Sequence, residues 1–159
     1  MRFLHLLAIA ILLPLGAQAQ GLNLAFGGIK QDTTQPVEVT ADNLSVDQQN
    51  GTAVFSGNVL VGQGEMRLAA PRVLVVYAED RGKIARLEAT GGVTLVSGED
   101  AAEAERADYN IDNGQVVLKG NVLLTQGQNS MTGNELNVDL KTGTAQMGGR
   151  VKTILQPQD

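Results

Sequence analysis

Asn113-Gly114-Gln115-Val116-Val117-Leu118-Lys119-Gly120-Asn121-Val122-Leu123-Leu124-Thr125-Gln126 is the stretch whose reading decides the fold class. Val116, Leu118, Val122 and Leu124 fall on one parity, and Lys119 and Asn121 on the other. A period of two marks a strand with one buried face, because successive side chains point to opposite sides. Asn113-Gly114 just ahead is a hairpin signal, since both central residues of a type I′ turn need positive φ. The Gly-Asn-Val block recurs as Gly57-Asn58-Val59, Gly91-Gly92-Val93 and Gly149-Arg150-Val151. From Val59 to Val93 is 34 residues; from Val93 to Val122 and from Val122 to Val151 is 29 each. Leu44, Val73, Ala107 and Leu136 repeat the spacing as 29, 34 and 29. The expectation is four copies of a unit of 29 residues, the second carrying a five-residue insertion around Asp80-Arg81-Gly82. In such arrays neighbouring units complete one another's core. Asn50-Gly51, Arg81-Gly82 and Thr142-Gly143 are the equivalent turns in the other copies. The chain reads as all-β.

Composition narrows what such a protein can do. The 159 residues carry 12 Lys+Arg against 17 Asp+Glu, a net charge of -5, with no cysteine and no tryptophan. One domain is the expectation at this length. The single histidine is His5, in a segment expected to be removed. Without His or Cys there is no Ser-His-Asp or Cys-His catalysis, no histidine zinc site and no disulfide. The acidic balance argues against nucleic acid as a partner, because phosphate backbones need a positive patch. No cofactor, metal or enzymatic role is expected. Glu99, Asp100, Glu103, Glu105 and Asp108 lack the spacing of a calcium loop and read as a solvated acidic turn. Gly62-x-Gly64 reads as a tight turn.

Met1-Arg2, an apolar run from Leu4 to Leu15, and Ala17-Gln18-Ala19 have the form of a secretory signal cleaved before Gln20. The run is shorter than the roughly 20 residues a bilayer span takes. Residues 1–19 are therefore expected as signal, 20–35 as a flexible polar arm, 36–155 as the β body and 156–159 as a tail. Leu22, Leu24 and Phe26 give the arm a strand-like alternation. Val37 to Thr40 and Val151 to Leu155 are expected as the two free edges, so end-to-end self-association is expected as well.

Alternation assigns the inward residues. One row is Phe55, Ala89, Leu118 and Met147; another is Leu44, Val73, Ala107 and Leu136; a third is Val59, Val93, Val122 and Val151. Val37, Val39, Val46, Val61, Leu68, Val75, Leu87, Leu95, Tyr109, Val116, Leu124, Met131 and Val138 share the inward parity. Small aliphatic side chains dominate. An extended interior of this kind suits flexible hydrocarbon better than a flat polar substrate. Arg67, Arg72, Lys83 and Arg106 are the basic residues that could meet lipid phosphates at a rim.

Gln35-Pro36-Val37-Glu38-Val39-Thr40-Ala41-Asp42, with Phe55-Ser56-Gly57-Asn58-Val59 and Val61-Gly62-Gln63-Gly64, resembles the N-terminal repeat of the OstA/LptA family. Val117-Leu118-Lys119-Gly120-Asn121-Val122 resembles that family's later block. The resemblance implies an elongated, twisted β-jellyroll, open at both ends, in the Gram-negative periplasm. It implies that lipopolysaccharide is bound through its lipid A acyl chains inside the roll. The implied partners are the inner-membrane and outer-membrane components of the lipopolysaccharide transport machine. The sequence departs from the family in the longer arm, Gln20 to Lys30, and in a shorter loop after Leu95. Two other readings stand beside this one: a membrane-tethered paralogue in the same machine, and a structural β-solenoid serving as an interaction module.

Overall fold

The computed structural model describes residues 24–25, 30–80 and 82–157. The expected signal, residues 20–23 and 26–29 of the arm and the last two residues of the tail lie outside the described residues. Within them all regular structure is strand: β1 Leu24–Ala25, β2 Glu38–Thr40, β3 Asn43–Asp47, β4 Thr52–Gln63, β5 Met66–Tyr77, β6 Ile84–Ser97, β7 Asp100–Asn110, β8 Gln115–Gln126, β9 Asn129–Asp139, β10 Thr144–Gly148 and β11 Lys152–Ile154. They form one antiparallel sheet, ordered β1-β10-β9-β8-β7-β6-β5-β4-β2, with β3 also on β4 and β11 also on β9. Asp100 to Asp108, helix-compatible in composition but aligned with strands by the repeat, is strand throughout.

The six long strands β4 to β9 each bend halfway. Registers shift between Ser56 and Val59, Thr90 and Val93, and Lys119 and Val122. The cause is in the Gly-x pairs: Gly57 and Asn58, Gly91 and Gly92, Gly120 and Asn121, Gly149 and Arg150 all have positive φ. An extra residue in the left-handed region is how a bulge turns a strand. At Gly120 a Cβ would sit 2.5 Å from Glu105 Oε2, so that corner has space for glycine alone. Asn121 Nδ2 donates to Glu105 Oε1 at 2.6 Å, and Asn58 Nδ2 to Asp42 Oδ2 at 2.9 Å. Two corners are thus clamped, one to β7 and one to the bend between β2 and β3.

The bends divide the sheet into two half-sheets facing each other. Turns 48–51, 111–114 and 140–143 form the free rim of the first half. Gly64-Glu65, Gly98-Glu99 and Gly127-Gln128 form the rim of the second. The turns at Asn50-Gly51 and Asn113-Gly114 differ from the expected two-residue type I′. They span four residues, and only Gly51, Gly114 and Gly143 have positive φ. Asp47 Oδ1 accepts from the backbone N–H of Gln49 and Asn50, and Asp139 Oδ1 from that of Lys141 and Thr142. An aspartate gripping its own turn carries the chain round without a second left-handed residue.

Candidate functional site

Strand register lines up the inward side chains. Leu44, Phe55, Val73, Ala89, Ala107, Leu118, Leu136 and Met147 are consecutive cross-strand partners from β3 to β10. The first two rows read from the sequence are therefore a single row, each contributing alternate strands. A second row in the same half-sheet runs Val46, Ala53, Val75, Leu87, Tyr109, Val116, Val138 and Ala145. The facing half-sheet supplies Val39, Val61, Leu68, Leu95, Ala102, Leu124 and Met131. Val59, Val93 and Val122 are buried beside the bends, opposite Ala70, Ala104 and Gly133.

Burial separates the middle of these rows from their ends. From β5 to β9 every member is buried. Phe55, Met147, Val37 and Val39 are half-buried against the core. Leu44 and Val46 face the correct side but are 56% and 58% exposed, against the expectation that they lie in the interior. Each strand's inner face is covered by the facing half, and at β3 the roll stops, so nothing covers them. Val151 is also exposed and lies between strands, because the last corner at Gly149-Arg150 has no further strand to pack on. Leu44, Val46, Ile154 and Leu155 leave apolar surface at the two ends.

The interior itself is shut. A void between Met66, Leu95, Ala102, Leu124 and Leu140 measures about 10 Å³, at the lower limit for a single water. Met66 and Leu140 line this closed mouth and Gln63 lies opposite Met66, three residues absent from the inward set expected from the sequence. Their parity with Val61, Leu68 and Val138 was the available signal. Gln63 is 1% exposed and Tyr109 2%. Tyr109 Oη donates to Gln63 Oε1 at 2.6 Å, joining the two half-sheets. Gln63 Nε2 donates to the carbonyls of Thr33 and Gln35 at 3.1 and 2.9 Å. Burial lifts the Tyr109 hydroxyl to a pKa of about 12.

The segment 31–35, expected within a flexible arm, lies across the mouth. Gln31 N–H donates to Leu140 O at 2.8 Å on the first rim. Its side chain donates to Ser97 Oγ at 2.7 Å and accepts from Glu65 N–H at 3.2 Å on the second. Upstream, β1 pairs with the free edge of β10, Leu24 opposite Ala145.

The basic residues are partly engaged elsewhere. Arg106 bonds Asp108 at 2.7 Å and Glu88 at 3.2 Å on the outer face, and Asp108 above all raises its pKa. Arg67 Nη1 donates to the carbonyls of Gly64 and Met66. Among the described residues no cluster of three or more His, Cys, Asp or Glu could hold a metal.

Comparison with known proteins follows the same lines. Residues 38–144 match the family described as LptA/(LptD N-terminal domain) LPS transport protein. The lipopolysaccharide export system protein LptA of Escherichia coli K12 is 30% identical over 140 residues, 79% of this chain and 74% of the relative. An uncharacterized protein of Rhizobium meliloti is 35% identical over 160 residues, 94% of this chain and 86% of the relative. The crystal structure of LptH from Pseudomonas aeruginosa superposes with a TM-score of 0.72 at 21% identity, covering 80% of this chain and 99% of that one. The match establishes the jellyroll fold.

Proposed function

The chain belongs to the family of LptA and the LptD N-terminal domain, and from that premise we propose how its geometry serves lipopolysaccharide transport. It is a periplasmic component of the lipopolysaccharide transport bridge. The finer reading is that lipid A acyl chains occupy the space between the half-sheets, against the inward rows. The observation that carries it is the continuity of those rows: six successive strands, β4 to β9, present mainly aliphatic side chains to one interior, and none of the buried members is charged. Each buried methylene gains roughly 0.8 kcal/mol, so a chain of about a dozen carbons faces around 10 kcal/mol in bare water. A continuous apolar lining removes most of that barrier. No bond in the cargo has to change, which suits a transport protein without His or Cys in its body.

The remaining parts of the reading concern placement. Cleavage before Gln20 would free the chain in the periplasm, and retention of residues 1–19 would make it the tethered form. Apolar surface at both ends, Leu44 and Val46 on one, Ile154 and Leu155 on the other, supports stacking with a second copy or with the membrane components of the machine. Such stacking joins unlike ends and yields open rods.

Purification of the full chain from the periplasm of a Gram-negative host, followed by organic extraction and mass spectrometry, tests the reading. The expected result is lipid A in the extract and a polypeptide beginning at Gln20. A lipid-free protein that also refuses added lipopolysaccharide would leave the self-contained solenoid core as the better account.

A further inference from the structure

The two half-sheets meet along two long sides. Along one, six strands run continuously round the glycine corners. Along the other, the mouth, no strand crosses among the described residues; the polar links there are Tyr109 to Gln63 and the segment 31–35. We propose that residues 31–35 are a strap that latches this mouth, with Gln31 as its staple and the Gln63–Tyr109 pair as the catch beneath, and that acyl chains are admitted sideways when the strap lifts. The inference rests on the interior being the lipid site.

Three observations carry it. First, the buried rows leave no room for a chain as they stand, so admission requires the half-sheets to part, and of the two long sides it is the mouth that lacks a continuous backbone among the described residues. Second, Gln63 breaks the apolar parity of its strand, and its amide is fully used: both hydrogens go to strap carbonyls and the oxygen to Tyr109. A residue serving the core alone would be apolar, as Met66 opposite it is. Third, the strap is held by hydrogen bonds rather than by burial. Asp32, Thr34 and Gln35 are exposed, with Gln31 and Thr33 half-buried. When such a segment lifts, water replaces most of the bonds it loses. The strap also keeps its own shape, because Asp32 Oδ1 accepts from Thr34 N–H at 3.0 Å and Thr34 Oγ1 at 2.5 Å. It can therefore move as one piece, in the manner of a loop that gates a site.

The test uses the absence of native cysteine. Gln31→Cys and Ser97→Cys are introduced together in the full mature chain and joined by a cleavable bifunctional thiol reagent. Uptake of fluorescently labelled lipopolysaccharide is then followed before and after cleavage of the tether. The tethered protein should load at least about tenfold more slowly than the same sample once cleaved, as expected when the competent state is depopulated. Gln31→Ala, a half-exposed position, should load faster than the natural chain with an unchanged melting temperature. Equal loading rates for tethered and cleaved protein would overturn the latch while leaving the interior site intact. If neither form nor the natural chain loads at all, the interior site falls and the latch falls with it.

Discussion

The corner side and the mouth side close the same interior by opposite means. At the corners the closure is covalent: every long strand runs from one half-sheet into the other, with bulges on β4, β6 and β8, and Asn58 and Asn121 tie two of those bulges to Asp42 and Glu105. At the mouth the closure is a handful of hydrogen bonds from Gln31, Gln63 and Tyr109, laid over side chains such as Met66 and Leu140. The difference teaches which side can work as a hinge and which as a clasp. A roll built this way can widen along one line without losing a strand ladder.

The largest expected effect lies at the corners. Gly120→Val places a branched side chain at φ 84 against Glu105 and should cost about 3 kcal/mol or more. Gly127→Ala, on the rim with nothing within 4 Å of its Cβ, should cost about 1 kcal/mol. Urea midpoints of the two variants check this. Equal losses would remove the distinction between corner and rim.

Alkaline titration probes the clasp next. The Tyr109 hydroxyl is raised from 10.0 to about 12 in the folded protein. The native state therefore holds its proton over a range in which the unfolded chain releases it. This contribution is complete below pH 10 and is lost as pH rises from 10 to about 12, by an amount on the order of 2 kcal/mol. The expected stability curve falls in that window, and the same curve for Tyr109→Phe falls less. Identical curves would mean that the hydroxyl is not buried.

Tyr109→Phe at neutral pH comes third. The ring remains, while Gln63 Oε1 loses its donor inside the closed mouth, for about 1–2 kcal/mol. Lipid loading should accelerate while hydrogen exchange at the corner residues 119–122 stays slow. Loosening at the corners would show that the two sides are coupled. The smallest effect is that of Asp32→Ala. The Thr34 side chain is the first cause holding the Asp32 carboxyl below the usual range, so the carboxylate's contribution is present above the unfolded pKa and fades as pH falls through the folded one. Faster exchange at Thr34 and Gln35 with an unchanged global melting temperature is the expected outcome.

The all-β class and the inward residues were legible because burial and alternation coincide in the middle strands, where Val116, Leu118, Val122 and Leu124 are all buried as their parity requires. Parity names a face; it does not say whether anything covers that face. Leu44 and Val46 have the right parity and no cover. The mouth was illegible for a related reason. Gln63 falls inside a Gly62-x-Gly64 read as a tight turn and Gln31 in a stretch read as a flexible arm, yet their polarity is what joins two rims far apart in sequence. Turn length was misjudged because Asp47 and Asp139 accept bonds that replace a second left-handed residue.

The central claim, that hydrocarbon is held between the half-sheets, is tested most directly by photo-crosslinking residues placed singly at neighbouring inward and outward positions. Phe55 and Leu118 lie on the inward row; Ser56 and Lys119 follow them on the opposite parity. In cells making lipopolysaccharide, the probes at 55 and 118 should capture lipid and those at 56 and 119 should not. Equal capture on both faces, or none from the interior of a folded protein, would contradict the account.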